Sequence, residues 1–438
     1  MNKNTAEKAL PVVCLVGLGY VGMPLALEFA KQLPVIGFDI NQQKIANYQK
    51  GVDPTGEVGS ARLKASKVHF TSDEREISKG DFVIVAVPTP VYQDHMPDLR
   101  PLRSASEIIG RNLKPGAIVV YESTVSPGIT ENVCAPILEK NSGLKCGSGF
   151  KVGYSPERIN PGDPVHKVAS IKKVVSGMDE DSLMKIKGLY DLIIKAGTYP
   201  VSSIKVAEAI KVTENSQRDV NIAFINEMAV IFEKLGISTK EVVDGMNTKW
   251  NALGFQPGLV GGHCIGVDPY YIIEEAEGLG YHPRVLTATR QVNNQVAAFI
   301  GGRVIKRLAL LGKRLKGCKV AVLGITFKED CPDIRNSKVV DIIHKLQDYG
   351  IVVEVADPWA DPALVKRVYG LDLKPLAEIQ DADCLLVAVA HQQYKDLSMA
   401  ELDQHFKDIP EKDKLLIDVK SIYDPALVKQ AGFSYWSL

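Results

Sequence analysis

PVVCLVGLGYVGMPLALEFAKQLPVIGFDI, residues 11–40, reads as a strand, a tight turn, a helix and a second strand. Val12–Val16 is apolar without alternation, as a parallel strand buried on both faces should be. MPLALEFAKQL is amphipathic, and VIGFDI is a second apolar run that ends in aspartate. The turn fits G-x-G-x-x-G with Gly17, Gly19 and Gly22. Gly17 permits the tight turn and Gly19 lets the backbone approach a pyrophosphate. Gly22 allows helix and strand to pack closely, and the helix N-terminus faces the anion. Asp39 ends the next strand, where a carboxylate can bind the adenosine ribose hydroxyls. That carboxylate would repel a 2′-phosphate, which favours NAD over NADP; Lys44 nearby weakens the preference. The competing reading is a structural turn in a domain that binds nothing.

The same rhythm continues outward. DFVIVAVPTP (81–90) and GAIVVYESTV (116–125) are further apolar runs with helical patterns between them, which indicates βαβ units and a parallel sheet. It returns near the C-terminus: GCKVAVLGITF (317–327) resembles the first strand, VVEVADP (352–358) the second, and DADCLLVAVAHQ (381–392) the run at 81–90. KLLIDVKSI (414–422) matches IVVYESTV in position. Between the two sets, residues 203–236 carry apolar or small residues at helical spacing with no glycine or proline before Gly236, enough for one helix of about 50 Å. A second long helix is expected from about Pro283 to Leu311. The expected fold is therefore α/β: two Rossmann-like parallel-sheet domains joined by a long-helix central region. The expected boundaries are 1–200, 201–312 and 313–438, and the long connector suits a dimer interface.

Lys+Arg and Asp+Glu both number 52 in 438 residues. Zero net charge argues against nucleic acid or a membrane surface as the main partner, while local basic pockets for a small anion remain open. MNKNTAEKAL lacks the apolar core of a signal peptide, and no apolar run is long enough to span a bilayer. The seven cysteines are scattered, without a CxxC. A reduced, cytoplasmic protein is expected.

Several motifs carry groups suited to chemistry, each with a plainer alternative. VPTP (87–90) and ESTV (122–125) lie just past strand ends, where open α/β sheets bind ligands. Thr124 there is placed for the nicotinamide side or a water, or simply caps a turn. Glu157 in SPERINPG (155–162) is a candidate general base, or half of a surface Glu–Arg pair. Lys211 and Asn215, four apart, share a helix face. They would stabilise an oxyanion, unless Lys211 is one more solvated lysine. In PGLVGGHCIGVDPYY (257–271), glycines let a substrate approach the Cys264 sulfur, and a cysteine can add to an aldehyde carbon. His263, Cys264 and Asp268 form too compact a set for a metal site without a second cluster, so no metal is expected. Cys331, in a charged loop, is the rival thiol. GITFKEDCPDIRNS (324–337) stands where the second domain would have its glycine loop. It offers Lys328 and Arg335 to phosphate oxygens, or is an ordinary charged loop.

Together, GLGYVGMPLA, VPTP, YESTV, SPERINPG, EAIKVTENSQRDVNIAFINE, GGHCIGVDPYY and GITFKEDCPDIRNS, in this order, resemble the UDP-glucose/GDP-mannose dehydrogenase family of nucleotide-sugar 6-dehydrogenases. The likeness runs from about residue 11 to about 425. The wording of SPERINPG and GGHCIGVDPYY is similar to the branch that oxidises UDP-N-acetylhexosamines in bacterial surface polysaccharide synthesis. The resemblance implies Cys264 as nucleophile, Lys211 and Asn215 as the oxyanion pair with Asp268 close by, Glu157 as general acid/base, and Thr124 as a holder of catalytic water. It implies NAD contacts from Gly17, Gly19, Tyr20, Val21, Gly22, Asp39, Lys44, Pro88, Thr89, Ser123, Thr124 and Arg335. It implies sugar-nucleotide contacts from Glu157, Arg158, Lys211, Asn215, Phe255, Gly258, Gly261, Phe327, Lys328 and Lys420. UDP-glucose dehydrogenases carry a second glutamate four residues after the position of Glu157; here it is Pro161, which argues against UDP-glucose.

The implied activity is NAD-dependent four-electron oxidation of the C6 hydroxymethyl of UDP-GlcNAc or UDP-GalNAc by a homodimer or higher oligomer. The alternatives are the same chemistry on UDP-ManNAc, UDP-glucose or GDP-mannose, or a non-catalytic regulator that binds a nucleotide sugar.

Overall fold

The computed structural model describes residues 10–54, 56, 58–92, 96–159 and 165–438. They form two compact units. One takes residues up to Glu214 together with Tyr270–Tyr281; the other takes Asn215–Pro269 and His282–Leu438.

The first unit is built on eight strands: β1 (Val13–Val16), β2 (Val35–Phe38), β3 (His69–Thr71), β4 (Phe82–Val85), β5 (Ile118–Tyr121), β6 (Lys151–Tyr154), β7 (Lys173–Gly177) and β8 (Thr198–Pro200). Their order is β3-β2-β1-β4-β5-β6-β7-β8, and the first six follow the doubly wound dinucleotide-binding order. Alternation within β1 shows why the sequence had to be apolar throughout. Val13 and Leu15 enter one core cluster with Leu25 and Phe29, while Cys14 and Val16 enter another with Ile109 and Leu138. The sheet departs from the all-parallel expectation at one place: β7 runs antiparallel to β6, through Gly153–Gly177 and Tyr154–Ser176. Helix α1 (Gly22–Phe29) opens directly from the glycine turn.

The two expected long helices are present, α2 (Ile204–Leu235) and, further on, Arg284–Leu310. Between them lie α3 (Thr239–Asn247) and α4 (Asp268–Gly278); Arg284–Leu310 is α5. Among the described residues no helix is long and apolar enough to cross a membrane.

The second unit has five parallel strands, β9 (Lys319–Leu323), β10 (Val352–Ala356), β11 (Cys384–Val387), β12 (Leu415–Asp418) and β13 (Ser434–Ser437), in the order β10-β9-β11-β12-β13. Again β9 feeds both faces. Val320 and Val322 pack with Ile300, Val304 and Leu308 of α5, while Ala321 and Leu323 pack with Tyr394, Leu402 and Phe433.

The duplication extends to turn chemistry. Gly17 at φ +93° donates its N–H to Phe38 O at 2.9 Å, and Gly324 at φ +96° donates to Ala356 O at 2.8 Å. After the first turn the Leu18 N–H meets the Asp39 carboxylate at 3.0 Å. After the second, the N–H groups of Ile325 and Thr326 both meet Asp357, at 2.6 and 3.0 Å. Burial pushes the Asp357 carboxyl up, but the hydrogen bonds from His391 and Ile325 outweigh it and hold the group at about 2. The second turn thus spends its amides on an internal anion, in keeping with its missing G-x-G-x-x-G.

Candidate active site

In the first unit the glycine turn has the shape a pyrophosphate needs. A Cβ on Gly17 would meet Ala86 O at 2.7 Å, and one on Gly22 would lie 1.9 Å from Gly17 O. A Cβ on Gly19 would meet nothing within 4 Å. Two glycines are therefore required by packing, while the third faces open space at the N-terminus of α1. Tyr20 and Val21 are half-buried beside it. The Asp39 carboxylate takes N–H bonds from Leu18 and Asn41 (2.9 Å) and pairs with Lys44 Nζ at 2.8 Å. Lys44, noted from sequence as a neighbour, is thus the direct counter-ion of Asp39. A dinucleotide fits this cradle: open backbone for the diphosphate, and an oriented carboxylate one strand away for a ribose.

Pro88 and Thr89 follow β4, and Ser123 and Thr124 follow β5, at the carboxyl ends of central strands. The Ser123 hydroxyl donates to Val87 O at 2.7 Å, tying the two loops together. Thr89 O accepts from the Tyr271 hydroxyl at 2.8 Å. Thr124 is half-buried.

Glu157 is buried after β6, not the exposed half of an Arg pair. Its Oε1 accepts the N–H groups of Arg158, at 2.6 Å, and Ile159. Arg158 turns elsewhere, to Glu214 at 2.5 Å and Lys172 O at 2.9 Å. Beside Glu157 lies a charged cluster that sequence reading missed. Lys173 Nζ is 3.8 Å from Glu157 Oε2, 2.6 Å from Glu122 and 3.2 Å from Pro156 O, and the Tyr190 hydroxyl also donates to Glu122. Burial raises the Glu122 carboxyl above its ordinary value, with Lys173 opposing and Glu157 adding to the rise. Glu122 was in view within YESTV, but its partner lies 51 residues away, where no spacing rule reaches. Pro161 lies outside the described residues.

In the second unit the cysteine segment folds as a turn entering α4. Cys264 O accepts the N–H groups of Val267 (3.0 Å) and Asp268 (2.8 Å). Asp268 in turn accepts from Asn215 Nδ2 at 2.5 Å. The glycines before the thiol are close-packed: a Cβ on Gly261 would lie 2.7 Å from Asn336 O, and one on Gly262 would lie 2.8 Å from the Phe327 ring. Gly258 stands the same way against Lys420, whose Nζ would be 3.0 Å from its Cβ. Gly258 thus stands against Lys420 and Gly261 against Phe327, with Phe255 half-buried on the same segment and Lys328 Nζ 5.7 Å from the Phe327 ring centroid. Arg335 pairs with Asp333 at 2.6 Å and approaches His263 Nε2 at 3.4 Å. Burial would lift the Asp333 carboxyl; Arg335 holds it below its usual range. No group of three metal-ligating side chains stands together among the described residues.

The thiols separate by environment. Burial pushes Cys14, Cys134 and Cys318 up to about 12, which keeps them protonated and unreactive. Cys331, the rival on sequence, is buried at 3 % exposure. Cys264 is half-buried.

Residues 12–225 match the NAD binding domain of the UDP-glucose/GDP-mannose dehydrogenase family, 205–295 its central domain, and 321–425 its UDP binding domain. The chain belongs to the UDP-glucose/GDP-mannose dehydrogenase family. It is 50% identical over 396 residues to Protein CapL of Staphylococcus aureus, covering 90% of this chain and 92% of that one. It is 48% identical over 413 residues to a UDP-N-acetyl-D-glucosamine 6-dehydrogenase of Pseudomonas aeruginosa, covering 94% and 97%. Among solved structures, the UDP-D-ManNAc dehydrogenase of Pyrococcus horikoshii superposes with a TM-score of 0.88 at 27% identity, covering 97% and 98%. This member of the family is an NAD-dependent oxidoreductase. Gly17–Gly22 and Asp39 fall in its NAD binding domain, and Phe327, Lys328, Arg335 and Lys420 in its UDP binding domain. Its catalytic candidates divide between the units: Thr124, Glu157 and Lys211 belong to the first, Asn215, Cys264 and Asp268 to the second.

Proposed function

We propose that the chain oxidises the C6 hydroxymethyl of a UDP-N-acetylhexosamine, UDP-GlcNAc or UDP-GalNAc, to the uronic acid for surface polysaccharide synthesis. The observation that carries this reading is the Cys264 segment: a thiol on a glycine-lined turn that runs into Asp268, itself bonded to Asn215. The similarity to a UDP-N-acetyl-D-glucosamine 6-dehydrogenase across nearly the whole chain supports the choice of sugar.

When bound, NAD+ supplies the acceptor for the hydride that leaves C6 at each of two oxidations. The first oxidation, with loss of the hydroxyl proton, leaves an aldehyde. Cys264 Sγ adds to its carbon and forms a thiohemiacetal, so the aldehyde cannot escape. Loss of a second hydride and a proton leaves a thioester. Water then adds to the carbonyl, the C–S bond breaks, and thiol and carboxylate are released. Lys211 and Asn215 hold the developing oxyanion, Asp268 orients Asn215, Glu157 accepts the proton of the water, and Thr124 holds that water. The glycine turn, Asp39, Lys44, the strand-end residues Pro88, Thr89 and Ser123, and Arg335 bind NAD. Phe255, Gly258, Gly261, Phe327, Lys328 and Lys420 bind the nucleotide sugar, with Arg158 set by Glu214. We read 1–200 as the NAD domain, 201–312 as a central helical region and 313–438 as the UDP-sugar domain. We place the enzyme in the cytoplasm as a homodimer.

The test is a panel of UDP-GlcNAc, UDP-GalNAc, UDP-ManNAc, UDP-glucose and GDP-mannose with NAD+. The highest kcat/KM should fall on the gluco or galacto N-acetyl sugar. A clear preference for UDP-ManNAc, or for a sugar without the N-acetyl group, would contradict the assignment.

A further inference from the structure

Helix α2 holds the cysteine segment at both of its ends. At the Asp268 end, Asn215 donates to the carboxylate at 2.5 Å. At the other end, Asn226 bonds the Gly258 residue twice: Nδ2 donates to Gly258 O at 3.0 Å, and Oδ1 accepts from Gly258 N at 2.8 Å. Asn215 and Asn226 stand eleven residues apart on one continuous helix, about three turns, so both lie on the same face. Asn226 is itself fixed from α5. Its Nδ2 also donates to Asn293 Oδ1 at 2.8 Å, and Asn293 Nδ2 donates to Asp219 at 2.7 Å. Arg290 closes the chain, pairing with Asp219 at 2.6 Å.

Asn215, Asp219, Asn226, Arg290 and Asn293 are all buried. A helix face turned inward is ordinarily apolar, and burying amides and an ion pair costs free energy that their mutual bonds only offset. Apolar residues of similar size often serve stability as well or better than a buried polar set. What an apolar side chain could not do is present a donor and an acceptor together to one backbone residue; an amide does so. The residue it grips, Gly258, sits against Lys420 on the segment read above as substrate-binding.

We propose that Asn226 is a positioning residue for the nucleotide-sugar site: it fixes Gly258, and through it the backbone from Phe255 to Gly261 that receives the substrate. This rests on the reading of that segment as substrate-binding and of Cys264 as nucleophile.

The experiment compares Asn226→Leu, Asn226→Ser and Asn293→Leu with the unaltered enzyme, measuring kcat, the KM for UDP-N-acetylhexosamine, the KM for NAD+ and the melting temperature. Losing the paired bonds should raise the sugar KM roughly tenfold in Asn226→Leu, an effect the size of a buried hydrogen bond left unmade. The NAD+ KM should stay within about twofold, because a uniform loss of structure would move both. Asn293→Leu, one bond further from the segment, should shift the sugar KM the same way by less. If Asn226→Leu does not fold, Asn226→Ser and Asn293→Leu are judged by the same criteria. A folded variant whose sugar KM is unchanged, or whose two KM values rise together, overturns the proposal. Cys264→Ser serves as the separate control. If it still forms carboxylate, the nucleophile reading fails on its own, and the sugar KM still decides the role of Asn226.

Discussion

At the scale of single residues, Gly19 and Gly22 do different jobs in the same turn. A Cβ at Gly22 would collide with the Gly17 carbonyl, whereas a Cβ at Gly19 would meet only open space. Gly22→Ala should therefore destabilise the first unit, by about 3 kcal/mol if the turn must shift, and lower its melting temperature. Gly19→Ala should leave the melting temperature unchanged yet weaken NAD+ binding at least tenfold in calorimetry, because the methyl group takes the space of the pyrophosphate. Equal effects of the two substitutions on stability would show that the cradle is misassigned. These glycines and Asp39 were legible in the sequence because the turn is local and each residue has one geometric task. The Glu122–Lys173–Tyr190 cluster was not, since it is assembled from three distant segments. Arg158 shows the limit of adjacency: its sequence neighbour Glu157 takes its backbone N–H, while its guanidinium goes to Glu214.

At the scale of elements, the long helices were legible because 32 residues without glycine or proline leave little alternative. The reversal of β7 was not, because an apolar run carries no sign of its direction. Nor did helical periodicity disclose that the inward stripe of α2 is polar at Asn215, Asp219 and Asn226. Elsewhere the second unit leaves large apolar groups uncovered: Phe224 and Ile231 on α2, Met246 on α3, and Trp250 just after it at 92 % exposure. The proposed homodimer would cover the pair on α2, Phe224 and Ile231, which stand seven residues apart on one face. Light scattering should give twice the chain mass, and Phe224→Glu combined with Ile231→Glu should shift it toward the monomer. A monomeric unaltered protein at micromolar concentration would contradict the homodimer.

At the scale of the whole molecule, one architecture serves twice. Each unit starts a strand, turns at a positive-φ glycine and anchors the turn with the aspartate that ends the next strand, Asp39 in one and Asp357 in the other. In the first the turn keeps the open glycine that a diphosphate needs. In the second an internal carboxylate fills that role, and the neighbouring loop brings Phe327, Lys328 and Arg335 into the UDP binding domain instead. The duplication was visible as repeated apolar runs; the altered use of the second turn required the hydrogen bonds. At the centre of the proposed reaction, the Cys264 thiol lets one enzyme carry an alcohol to an acid without releasing the aldehyde. The direct measurement is NADH formed per UDP-N-acetylhexosamine consumed, with the product identified by mass. Two NADH and a uronic acid are expected per sugar, with acid formation abolished in Cys264→Ser. One NADH per sugar, or acid formation that survives Cys264→Ser, would contradict the proposed reaction.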